Sequence, residues 1–277
     1  MNALFFYMLH RYRPAILFWG GGLAIVGIAV VLLYDSIADK QQLLEQLMEG
    51  FPILIKALAG DVKDWVTPAG WLHLKFFFVL PLSFGLFAVL TGAGLFAADE
   101  ESGRLDLLMA YPVSRTKIFL ARCAALGVAT ALITVIAWVC MASALPFSRL
   151  EIKPLSLFLP FLTLFLVMLC FQSLALLLSL LLASRIIAAG AAGMILIISF
   201  FLEGFAEVQP KLTPYARIFP LHYYQGGKAI DQFAWGPLIV LLAILLVSFL
   251  LAGRLFLARE IRVVGEGNIS RKPRLTK

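Results

Sequence analysis

Six long apolar runs, separated by short clusters of charge, constrain this chain more than any other feature: residues 14–34, 74–98, 118–145, 155–183, 186–202 and 236–257. Crossing about 30 Å of hydrocarbon takes roughly 20 apolar residues in a helix. Inside lipid the backbone has no water to bond, so each run must satisfy its own N–H and C=O groups as a helix. The pattern therefore predicts an all-α membrane protein with six transmembrane helices. Composition agrees, since 62% of the 277 residues are hydrophobic and 14% charged, whereas a soluble domain carries about 25% charged residues. No internal repeat or low-complexity stretch divides the chain, so residues 1–257 read as one membrane domain and 258–277 as a basic tail.

Lys and Arg favour the cytoplasmic face of short loops. Most of the 23 basic residues fall on the side of the N-terminus, from Arg11 and Arg13 through Arg115, Lys117 and Arg185 to Arg271, Lys272, Arg274 and Lys277. Both termini are accordingly expected in the cytoplasm. The first loop on the opposite side offsets its basic residues with Asp35, Asp39, Glu45, Glu49, Asp61 and Asp64. The net charge of +7 follows this sidedness, and no nucleic-acid motif accompanies it. The first run follows His10, Arg11 and Arg13 with no small-residue cleavage site, which makes it an anchor and not a cleaved signal.

Ahead of it, Leu4, Phe5, Phe6, Met8 and Leu9 form a short apolar stretch ending in positive charge, the pattern of a helix lying along the cytoplasmic interface. The loop 35–73 is expected to hold two short amphipathic helices. Residues 203–235 mix Pro210, Pro214 and Pro220 with Tyr215, Phe219, Tyr223, Tyr224, Phe233 and Trp235, which predicts a broken or re-entrant hairpin at the outer surface before the last span. Glu203 and Glu207 share a helical face there and could bind a cation, although two solvated carboxylates are the commoner outcome.

Catalytic chemistry finds little support. Cys123, Cys140 and Cys170 lack metal or redox spacing and read as small core residues. His10, His73 and His222 are far apart. There is no G-x-S-x-G, no H-E-x-x-H and no phosphate-binding G-x-x-x-x-G-K-[ST]. Glu100-Glu101-Ser102-Gly103-Arg104 approaches the E-E-x-x-x-R pattern of intramembrane proteases, but its arginine comes one residue early and so faces about 100° away. An ion-coupled carrier would place charges deep in its spans. Here the nearest, Lys75, Arg122 and Arg254, lie close to span ends and are expected to snorkel outward. Thr91, Thr130, Thr134, Gln172, Ser173, Ser179 and Ser199 are the polar residues of the interior. They suit an amphipathic or lipid-like cargo, while bonds to their own helices account for each one separately. Gly85, Gly92, Gly94, Gly190 and Gly193 permit close helix approach or local bending, and the run Gly20-Gly21-Gly22 suggests close contact with a neighbouring helix or a dimer mate.

The most informative segment is the loop between the second and third runs, from Asp99 to Arg115. Ser102 is placed to cap a short helix, with acidic residues near its positive end, and Pro112 to stop it about two and a half turns later. Ser114 can then cap the third span. Leu105, Leu108 and Met109 would form one apolar side of that helix, and such a stripe must pack into a groove on a partner. A membrane scaffold that recruits a cytoplasmic partner would use the same device.

The run Glu101-Ser102-Gly103-Arg104-Leu105-Asp106-Leu107-Leu108, followed by Pro112-Val113-Ser114-Arg115, resembles the cytoplasmic signature of type-2 ATP-binding-cassette exporter permeases. Arg104 stands where relatives have Thr, and Asp106 where they have Glu. The aromatic stretch from Phe219 to Tyr224 and the charged Arg259-Glu260-Ile261 are similar to the family before and after its last span. The resemblance implies a non-enzymatic transport subunit in a bacterial inner membrane. Its coupling residues would be Glu100, Glu101, Ser102, Gly103, Arg104, Leu105, Asp106, Leu107, Leu108, Met109, Pro112 and Arg115. Residues 102–110 would be a coupling helix seated on a separate ATPase subunit, two copies of which would carry ATP and Mg, with no cofactor in this chain. A second permease chain, identical or related, would complete the pathway.

Overall fold

The computed structural model describes residues 2–38, 67–103, 113–182 and 184–258. The described residues are helical, with no strand among them. Helix α1 (Asn2–Arg11) turns at Tyr12 into α2 (Arg13–Ala38). A short α3 (Pro68–Leu72) runs through one π turn (His73–Phe77) into α4 (Leu80–Glu101). The bundle continues with α5 (Arg115–Ala144), α6 (Pro154–Leu181) and α7 (Arg185–Val208), then α8 (Thr213–Ala216) among short 3-10 turns, and α9 (Trp235–Ala258). Six helical stretches, α2, α3 to α4, α5, α6, α7 and α9, are long and apolar enough to cross a membrane.

Local chemistry sets the ends. Thr67 accepts a hydrogen bond from the Gly70 amide and Pro68 occupies the first turn of α3. Pro154 opens α6, where its missing N–H is not needed. Leu182 and Ser184 are extended, and the Ser184 hydroxyl accepts from the Ile187 amide to start α7. Three spans extend beyond the hydropathy. The second begins at Pro68 and ends at Glu101, the third begins at Arg115, and the fifth runs on to Val208. Apolar runs mark hydrocarbon depth, whereas a helix continues as long as its polar residues find partners.

Helices α4 and α6 form the centre, with more than half of each buried, and α2, α5, α7 and α9 pack around them. At Gly92 a Cβ would collide with the backbone of Gln172, so α4 and α6 approach there as only glycine allows. Phe76, Phe77, Phe84, Phe161 and Phe171 fill the main core. A second apolar cluster, Phe96, Ile118, Phe119 and Phe256 with their neighbours, closes the end where α4 meets the 99–115 loop. Gly20 faces Ile136 of α5, but Gly21, Gly22, Gly190 and Gly193 have nothing within 4 Å. Close approach within the chain therefore explains Gly20, Gly85, Gly92 and Gly94, not the other four.

The segment before α9 folds back on the bundle as a broken hairpin. Leu221 and Ala229 are buried. The Tyr224 hydroxyl donates to the Phe77 carbonyl at 3.0 Å, and the Gly227 amide donates to His73 Nδ1 at 3.1 Å. Burial pushes the Tyr224 phenol well above its ordinary value. Glu203 and Glu207 lie on α7 itself, the first half-buried and the second exposed, and each has an ion-pair partner: Glu203 meets His222 at 2.8 Å and Glu207 meets Lys228. These pairs tie the hairpin to α7. The helices expected within 39–66, the coupling residues Arg104 to Pro112 and the tail 259–277 lie outside the described residues.

Candidate functional site at the loop-bearing end of the bundle

Asp99 was placed by its sequence neighbours in a loop, yet it is the third residue from the end of α4 and is 4% exposed. Arg122, expected to snorkel outward, turns inward from the second turn of α5 and is 1% exposed. Its Nη2 lies 2.8 Å from Asp99 Oδ2, and its Nη1 donates to the Leu95 carbonyl at 2.9 Å. The guanidinium also rests over the Phe96 ring, 5.2 Å from its centre. Phe96 stacks parallel to Phe119 and meets Phe256 at 4.4 Å. A buried charge persists only when paired and hydrogen-bonded, and the snorkelling expectation failed because Asp99 and the Leu95 carbonyl of α4 supply both.

The second oxygen of Asp99 faces Arg11 Nη1 at 3.1 Å, which ties α1 to the same carboxylate. Between the two arginines sits Tyr12. Burial pushes its phenol up to about 12, against the opposing pull of Arg11 and Arg122, so it stays neutral.

Glu101, at the last position of α4, accepts a hydrogen bond from the Arg185 amide at 3.1 Å. A carboxylate at the N-terminus of α7 is favourably placed in the field of that helix. The Arg185 side chain lies across α4 at Gly94, where a Cβ would come within 3.1 Å of Nε. The end of α4 thus holds α1 and α5 through Asp99, and α7 through Glu101.

Ser102 and Gly103 act differently from their sequence reading. Ser102 closes α4: its hydroxyl donates to the Asp99 carbonyl, and Gly103, at φ 70°, donates its amide to the Glu100 carbonyl. Glycine after the last helical turn is the common stop signal. Glu100 and Glu101 accordingly belong to the last turn of α4 and not to the start of a new helix. Ser114 does precede α5, in an extended conformation and without a side-chain cap. Glu101, Ser102, Val113, Ser114 and Arg115 are all exposed at this end.

Of the expected coupling residues, the structure thus brings Glu100, Glu101, Ser102 and Gly103 together with the start of α5 at Arg115, while Arg104 to Pro112 are outside the described residues. Sequence reading missed Asp99, Arg122, Tyr12 and the helix-joining role of Arg11. A signal was present: a carboxylate and a guanidinium stand just inside the facing ends of two consecutive spans. Among the described residues, no group of three His, Cys, Asp or Glu comes together to hold a metal ion.

Within the bundle the polar side chains mostly bond their own helices. Thr91, Thr130, Thr134, Ser179 and Ser199 donate to carbonyls three or four residues back. Gln172 donates to Thr130 at 2.7 Å, and Ser173 pairs with Ser248 at 2.6 Å, linking α6 to α5 and to α9.

Six membrane-crossing helices gathered around a buried ion pair, with an exposed loop end beside it, define a multi-pass helical membrane protein. The family model described as ABC-2 family transporter protein matches residues 17–261, and the chain belongs to that family. It is the membrane permease of an ABC transporter. Comparison with curated proteins gives no match.

Proposed function

We propose that this permease is the membrane half of a bacterial exporter, in which loop 102–112 docks on a separate ATP-hydrolysing subunit and two permease chains enclose the pathway. Two ATPase subunits serve the pair, and ATP and Mg bind there and not to this chain. The permease sits in the inner membrane with both termini in the cytoplasm, and α1 lies along the interface next to the docked ATPase. The observation that carries the reading is the grip of Asp99 and Glu101 on three other helices immediately before the loop. A displacement of the loop reaches α1, α5 and α7 through short polar contacts that span no more than one helical turn of α4. Through α7 it reaches Glu203 and Glu207, which hold the hairpin at the opposite end.

Coupling of this kind needs an element with two discrete arrangements, and the α4 terminus is our candidate for it, since its contacts are few and directional and its partner Arg11 is open to water. The interior carries hydroxyls and one amide among apolar side chains, which suits an amphipathic cargo. Glu101→Gln tests the transmission step. The carboxylate is lost from the α7 N-terminus, where its field is worth about 0.3–1 kcal/mol. The expected outcome is an unchanged complex with the ATPase and reduced ATP-driven transport in proteoliposomes; wild-type transport would remove Glu101 from the pathway.

A further inference from the structure

Between α5 and α9, which meet through Phe119, Phe249 and Phe256 at the end nearer the loop 99–115, lies a groove of about 540 Å³ floored by α6. We propose that this groove binds one acyl chain of a membrane phospholipid. The assignment rests on the membrane-spanning fold and not on the coupling scheme above.

The place of the groove decides what can fill it. Its mouth is bordered by Leu120 on α5 and by Leu242 and Leu246 on α9, which are 43%, 45% and 57% exposed. All three belong to membrane-crossing helices, so the medium at the mouth is hydrocarbon. The wall is almost wholly aliphatic, and a space of that kind stays dry and takes apolar guests. Its volume lies within the roughly 300–1,000 Å³ of ordinary ligand pockets. The polar side chains of the floor are committed elsewhere: Gln172 donates to Thr130, and Ser173 pairs with Ser248. A polar ligand would find these groups already bonded, whereas a methylene chain needs none of them.

A second copy of the chain is the competing occupant. Around a two-fold axis, a groove on the axis meets itself and stays unfilled, and a groove off the axis must receive a matching protrusion. A flexible chain enters such a groove without a matching protrusion on a partner.

Gly127 lines the groove, and a Cβ there would meet only Leu169 at 3.9 Å, so Gly127→Phe directs a ring into the empty space. Leu246→Trp plugs the exposed mouth and serves if Gly127→Phe lowers thermal stability. The full chain is placed in nanodiscs of phosphatidylethanolamine and phosphatidylglycerol, doped with a phospholipid bearing a diazirine midway along one acyl chain. Irradiation and peptide mapping then locate the adducts. The proposal expects adducts concentrated at Leu120, Cys123, Leu169 and Leu246, saturating with probe and lost in the plugged variant. Adducts on the exposed α7 residues Ile186 and Ile197 should persist unchanged. Adducts spread evenly over both faces, without saturation and insensitive to the plug, would overturn it as ordinary annular lipid. So would a disulfide between two Leu246→Cys chains with no groove adducts, which would assign the groove to a second copy.

Discussion

Arg122 shows how strongly a single buried charge depends on its partners. With both Asp99 and the Leu95 carbonyl in reach, it is tolerated beneath aromatic rings. Removing it leaves a carboxylate that is 4% exposed with Arg11 as its remaining ion-pair partner. Breaking one side of a buried pair costs about 3–5 kcal/mol, so Arg122→Met should lower thermal unfolding in detergent sharply. Arg11 binds the same carboxylate from a side chain that is 42% exposed, and Arg11→Ala should lose no more than about 1 kcal/mol. The double change Asp99→Asn with Arg122→Met should recover part of the loss, because it removes both charges together. Equal effects of Arg11→Ala and Arg122→Met would contradict the ranking. The sequence carried only the placement of Asp99 and Arg122 near the facing ends of two consecutive spans, not their pairing or their ranking. Only the rotation of α4 against α5 brings them face to face.

Helices were far more legible than their contacts. Hydropathy located all six spans, because a bilayer demands the same length and the same lack of charge from each. It misjudged ends wherever polar residues found partners beyond the apolar run, as Glu203 and Glu207 did through His222 and Lys228. It also could not tell which glycines meet a neighbour within the chain. Gly92 abuts the α6 backbone, whereas Gly190 has nothing within 4 Å. Gly92→Ala should therefore force α4 and α6 apart and lower stability by about 1–3 kcal/mol, the usual toll of overpacking. Gly190→Ala should be neutral or raise stability by roughly 0.5–1 kcal/mol through helix propensity. Thermal unfolding of the two variants in one detergent separates these outcomes, and a Gly92→Ala chain as stable as the wild type would dismiss the contact.

For the whole molecule, the family and the six-span architecture were both readable, since a dense motif and a repeated physical constraint carried them. The mechanical layout was not, because it depends on which helices the end of α4 touches. A motor docked on loop 102–112 would work on a terminus that already holds α1, α5 and α7, and α7 extends to the hairpin at the far end. Leu105 and Leu108, the apolar side of that loop, are the contact on which the account depends. The decisive measurement is ATP hydrolysis by the partner recovered from native membranes with the tagged permease, compared between wild type and Leu105→Asp/Leu108→Asp chains of matched thermal stability. The account predicts that an ATP-binding-cassette ATPase copurifies with the wild-type chain and is stimulated by it, and that the double variant loses stimulation. Full stimulation by the variant, or no such ATPase with the wild type, would contradict it.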